Sequence, residues 1–199
     1  MGKFISLFIL LASILQGGIG EDKVSLIVEG RGGLFRPAPK NFTKIYGDNN
    51  MISGATLGIG YRSTYLVARY RLFEAEGKSI VTGIDLEGSA TWREEFISLG
   101  LRSYAQKLFY AELAYVMGSV KESISTNEPD FKALNSTFST SNNQGAAVAL
   151  GINIPIVLGF NLSGEVEYLF VQTKTPNGAK NDKIDIGGPI FSLGLSLVF

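Results

Sequence analysis

The last twelve residues of the chain carry its clearest pattern. Phe191, Leu193, Leu195, Leu197 and Phe199 share one parity; Ile190, Ser192, Gly194, Ser196 and Val198 share the other. A repeat of two is that of a β-strand with one oily face and one small or polar face. The strand closes on an aromatic residue. Left open in water, such an edge would invite aggregation. A closed barrel in a membrane removes the edge and gives the oily face a matching solvent.

The same period recurs upstream and predicts seven more strands. The first, Lys23–Arg31, sets Val24, Leu26 and Val28 against Ser25, Glu29 and Arg31. The second, Met51–Arg62, sets Ala55, Leu57, Ile59 and Tyr61 against Thr56, Gly58, Gly60 and Arg62. The third, Tyr65–Glu74, sets Leu66, Ala68, Tyr70 and Leu72 against Val67, Arg69 and Arg71. The fourth, Trp92–Ser103, sets Ile97, Leu99 and Leu101 against Ser98, Gly100 and Arg102. The fifth, Leu108–Val120, carries Glu112 on its polar face. The sixth is Gln144–Ile154, and the seventh, Phe160–Thr173, turns Glu165 and Glu167 to the polar side. No sustained helical repeat emerges.

Two places break the pattern. Before Phe96 the fourth strand would put Arg93 and Glu95 on its oily face, which calls for a bulge or for an extension into water. Within residues 79–91, Ile80–Thr91 has strand character but a poor apolar face. They read as part of a hairpin rising above the membrane; as a ninth membrane strand they would break the even count of bacterial single-chain barrels.

The connectors alternate long and short, with long ones at 32–50, 75–91, 121–143 and 174–187. Outer-membrane barrels have short periplasmic turns and long outer loops. The prediction is an all-β, eight-stranded antiparallel up-and-down transmembrane barrel over residues 21–199, with both ends periplasmic. The apolar stretches match the ~9–11 residues a tilted strand needs to cross a bilayer.

A soluble eight-stranded barrel of the lipocalin kind also alternates, with the oily face inside. The polar faces argue for the inverse. They carry Glu29, Arg31, Arg69, Arg71, Arg102, Glu112, Glu165 and Glu167 among Gly, Ala and Ser. Four arginines and four glutamates cancel, and small neighbours leave room for long side chains to cross a narrow bore. On a lipid face each such charge would cost about 2–4 kcal/mol near the midplane. Tyr61, Phe109, Phe160 and Phe199 at one set of strand ends, with Phe170 and Phe191 at the other, suit two interfacial girdles.

Composition narrows the chemistry. Residues 1–20 read as a cleaved secretory signal: Lys3, an apolar run over Phe4–Leu15, and small Gly18 and Gly20. The run is short for a spanning helix. Lys plus Arg and Asp plus Glu are each 18, so no charge excess points to nucleic acid. No cysteine is present, which excludes disulfides, thiol catalysis and a lipidated Cys. No histidine is present either, which removes the commonest general base and metal ligand. Gly30, Gly32 and Gly33 lack the spacing of a phosphate-binding loop. No calcium-loop spacing occurs. Glu165 and Glu167 could form a carboxylate pair, but as i, i+2 neighbours they suit the lumen arginines better. No cofactor and no metal is expected.

The leader-like start, Gly58-Ile-Gly-Tyr-Arg62 before a tight turn, the alternating strands and the terminal Phe199 together resemble the small OmpA-type outer membrane barrels. The resemblance implies the outer membrane of a Gram-negative bacterium, contact with its lipids, and a monomer. It implies that Phe191, Leu193, Leu195, Leu197 and Phe199 form the signal read by the barrel-assembly machinery. The enzymatic barrels known in that membrane rely on a histidine that this chain lacks. The larger relatives' peptidoglycan-binding domain is not expected after the barrel. Three functions follow for testing: a structural or interaction barrel whose four long loops meet host or envelope ligands; a narrow passive, porin-like pore; or an enzyme working through its carboxylates.

Overall fold

The computed structural model describes residues 24–39, 42–47, 50–79, 88–126, 135–157, 159–174 and 183–199. The expected signal, residues 1–20, lies outside them.

Nine antiparallel strands and one short helix are described: β1 (Val24–Phe35), α1 (Phe42–Tyr46), β2 (Met51–Tyr61), β3 (Thr64–Ser79), β4 (Gly88–Ala105), β5 (Phe109–Thr126), β6 (Ser136–Val157), β7 (Phe160–Lys174), β8 (Lys183–Asp185) and β9 (Gly188–Val198). Each of β1 to β7 pairs with the next, β7 pairs with β9, and β9 closes on β1. Eight strands thus form a ring without an edge, and β8 adds three pairs to the outer end of β7. The ring is sewn shut at its base by Leu26 and Phe199, whose N–H groups each donate to the other's carbonyl at 3.1 and 3.0 Å. Tight links join the strands at that end. Arg62, Gln106, Lys107 and Gly159 take the left-handed conformation there, with φ of 58°, 52°, 60° and 83°.

Polarity is inverted relative to a soluble barrel. Leu193 is 68% exposed on the outer face, whereas Arg69 is 3% and Glu165 5% exposed inside. The outward residues of every ring strand form an apolar band. Tyr61, Phe109, Phe160 and Phe199 face outward at the tight-turn end, and Phe170 and Phe191 face outward nearer the other.

Above the band the wall is uneven. β1 and β2 stop pairing at Leu34↔Met51. On the other side β3 and β4 stay paired to Ser79↔Gly88, and β4 and β5 to Gly88↔Thr126. β5 and β6 continue past a register shift near Gly118 to Ile124↔Ser136. Residues 75–79, 88–91, 121–126 and 136–143, expected as connector, are therefore strand. They escaped the pattern because water bathes their outer face, so no apolar alternation is required. The registers of β3–β4 and β4–β5 run unbroken through Arg93 and Glu95. The parity break there is an aqueous extension and not a bulge. Arg93 donates to Glu74 at 2.9 Å and to Glu95 at 2.5 Å on that outer face. The hairpin reading of residues 79–91 holds for both described arms; residues 80–87 lie outside the described set.

The helix α1 was not anticipated. Five residues after Pro37 and Pro39 are too few to show a helical repeat. It packs against the inner face of β3 and β4.

Candidate functional site

The inward faces form three layers. At the tight-turn end Tyr65, Tyr104 and Tyr110 pack with Ile27 and Val67. Tyr65 and Tyr104 meet edge to face at 5.5 Å, and Tyr104 and Tyr110 lie 5.3 Å apart. Tyr110 requires its neighbour to be glycine: a Cβ on Gly151 would come 2.2 Å from the Tyr110 ring. These rings form an aromatic floor at the tight-turn end of the bore.

The middle layer is ionic. All eight singled-out charges converge there, contributed by β1, β3, β4, β5 and β7. Arg69 lies at the centre. Its guanidinium grips Glu165 with two bonds of 2.8 and 3.1 Å, reaches Glu112 at 2.6 Å and contacts Glu167 at 3.4 Å. Arg71 pairs with Glu167 and donates to Ser98 at 3.3 Å. Arg102 donates to Glu112 at 2.9 Å and Glu29 at 3.2 Å, and covers the Tyr110 ring at 4.4 Å. Arg31 joins Glu29 at 2.7 Å and Glu165 at 2.9 Å, and donates to the Tyr110 hydroxyl at 2.6 Å. Ser163 donates to Glu29 at 2.5 Å.

Every carboxylate in this layer meets at least two arginines, and the charges cancel. That balance is what makes burial tolerable, because an unpaired buried charge costs several kcal/mol. Beside the network, among Arg31, Thr56, Arg69, Arg71 and Glu165, remains a void of about 20 Å³. That is room for about one water.

The outer layer is apolar. Phe35, Ile52, Phe73, Trp92, Phe96, Val120, Leu169, Ile186 and Ile190 fill the mouth, with Phe42 and Tyr46 of α1 pressed in from above. Phe35 meets Phe73 edge to face at 5.0 Å; Phe42 meets Trp92 at 5.6 Å and Phe73 at 5.8 Å. Tyr46 donates to Glu122 at 2.7 Å, fastening α1 to β5. Contact between α1 and β3 is backbone-close, since a Cβ on Gly77 would lie 2.1 Å from the Ile45 carbonyl oxygen. Of the connector expected over 32–50 to project outward, residues 32–35 extend β1 and α1 sits in the mouth.

Glu94 was missed in the sequence. It is fully buried in the outer layer, where its one described partner is the Trp92 indole N–H, at 2.8 Å. The signal was present: Trp92, Glu94, Phe96 and Ser98 share the inward parity. Exposed Arg93 and Glu95 on either side made the whole stretch look like surface.

The terminal residues Phe191, Leu193, Leu195 and Phe199 face outward in the apolar band, with Leu197 half-buried. Among the described residues no three acidic, histidine or cysteine side chains are grouped to hold a metal ion. Glu165 and Glu167 do not form an open carboxylate pair. Arginines enclose both.

No protein-family model matches the sequence, and no curated protein matches it. Solved structures do resemble the fold. The attachment invasion locus protein Ail of Yersinia pestis, crystallised in complex with the heparin analogue sucrose octasulfate, aligns at a TM-score of 0.59 and 12% identity. That alignment covers 90% of this chain and 100% of Ail. The outer membrane protein OprG of Pseudomonas aeruginosa aligns at 0.52 and 11% identity, covering 93% of this chain and 99% of OprG. The fold is therefore that of the small outer membrane β-barrels, the OmpA-like type to which the sequence pattern pointed.

Proposed function

We propose that this protein is an integral outer membrane barrel of a Gram-negative bacterium that works as an interaction scaffold, presenting its raised wall and outer loops to ligands. The observation that carries the reading is the contrast between a filled bore and a tall outer wall. An aromatic floor, a compensated ionic layer and an apolar plug stand in series along the bore, so transport has little to use. The paired strands of β3 to β6 stand well above the apolar band and give a rigid mount for recognition. The side chains that fill the bore support this over a passive pore. The absence of histidine from the sequence and the arginine cover over Glu165 and Glu167 support it over catalysis.

Ail carries a sulfated ligand in its complex. The outer face of the raised wall here mixes both signs: Arg93 is held by Glu74 and Glu95, and Glu76, Lys78 and Lys121 are exposed on the same face. We assign no polyanion to that face. In the same reading the terminal strand, from Phe191 to Phe199, serves as the insertion signal for the assembly machinery.

The test is a truncated wall. Residues 76–91 and 123–137 are each replaced by a two-residue turn, which leaves the membrane ladder intact. Bacteria producing this variant should retain a heat-modifiable barrel and lose adhesion to host cells or envelope partners that the full chain supports. Unchanged adhesion would remove the proposal's basis.

A further inference from the structure

The inward ionisable groups below the rim do not all balance. Four arginines answer Glu29, Glu112, Glu165 and Glu167. Glu94 stands apart, in the outer layer, at the level where Arg93 and Glu95 point out to water. It is 0% exposed. One carboxyl oxygen accepts the Trp92 indole N–H; the other, Oε2, is buried without a hydrogen-bond partner.

Among the described residues, the elements around it offer no cation. On β3 its ladder partner is Phe73, and the nearest charge along that face, Arg71, is engaged by Glu167 and Ser98. On β5 its partner is Val120, and Glu122 beyond accepts the Tyr46 hydroxyl. On β4 its inward neighbours are Trp92 and Phe96. On α1 the buried residues are Phe42 and Tyr46, while Lys44 points to solvent. A lone carboxylate in such surroundings is expensive, whereas a neutral acid is tolerable. Burial, offset only by the Trp92 N–H, holds the Glu94 carboxyl well above the usual carboxylate range.

Glu94 also sits at the root of the plug. It holds Trp92, and the Trp92 ring carries both α1 aromatics: Phe42 at 5.6 Å and Tyr46 at 5.9 Å. We propose that Glu94 is a proton-operated latch on the mouth of the barrel. In its neutral form it anchors Trp92 and keeps α1 seated; on losing its proton it draws water into the outer layer and releases α1. The sign follows from the burial. An acid whose titration is raised in the closed form adds stability to that form at low pH and loses it as pH rises through the shifted value. Between the ordinary carboxylate range and the shifted value, each pH unit favours release by up to about tenfold. The ionic layer beneath is unaffected, so release of α1 does not by itself open the bore.

Trp92 is the sole tryptophan of the chain, so its emission reports on Glu94 directly. The full chain in lipid vesicles is titrated from pH 5 to pH 9 while tryptophan emission is recorded. In parallel, tryptic cleavage at Lys44 is measured at each pH. The wild type should show a red shift and a rise in Lys44 cleavage with one shared midpoint well above that of an ordinary carboxylate. Glu94→Gln, checked for folding by its heat-modifiable band, should stay flat in both readouts; Glu122→Gln should still titrate. A flat wild type, or a Glu94→Gln protein that titrates as the wild type does, would overturn the latch.

Discussion

The ionic layer and the apolar plug fill the same bore in opposite ways. At membrane depth the inward positions are long charged side chains fitted between serines and glycines, and their order comes from bonds that cross the barrel. Above the band they are Phe, Trp, Ile and Val, and their order comes from shape. The two fillings fail differently. Removing one ion from the middle layer strands its partners. Removing one ring from the plug leaves a hole that the mouth can partly close.

Arg69→Met breaks the comparison at its strongest point. It leaves Glu112, Glu165 and Glu167 without their shared cation. Unfolding from lipid vesicles in urea, read by the heat-modifiable band, should show a loss of about 3–5 kcal/mol. Phe73→Ala removes a fully buried ring that touches Phe35 and Phe42. The same assay should show about 3 kcal/mol, at the low end for a buried Phe because α1 can settle into the gap. Gly77→Val separates the plug from the barrel. Its side chain drives into the Ile45 backbone, so α1 should lift and Trp92 emission should shift red, with the urea midpoint nearly unchanged. Arg93→Ala, on the exposed face of the wall, should leave the urea midpoint where it is, because exposed ion pairs contribute little.

How much of this could be read from the sequence depends on what solvent each face meets. The strand segments at membrane depth were legible because hydrocarbon forces one whole parity to be apolar, as at Leu193 and Leu195. The raised portions of β5 and β6, such as Ser123 to Thr126 and Ser136 to Ser139, were not, because water accepts either face. The eight bore charges could be assigned to the inside from parity. Their pairing could not: Arg69 and Glu165 are 96 residues apart and meet only once the ring has closed. Glu94 lay on a readable parity but was masked by exposed neighbours. The seating of α1 depends on Gly77, a contact between segments that no local window contains.

Planar-bilayer recording of the purified full chain at pH 6 bears most directly on the claim that this barrel is sealed and acts at its outer surface. With floor, ionic layer and plug all in place, the barrel should insert and give no resolved channel steps under an applied potential. Stable, reproducible single-channel steps from the folded, heat-modifiable protein would contradict the account and restore the pore.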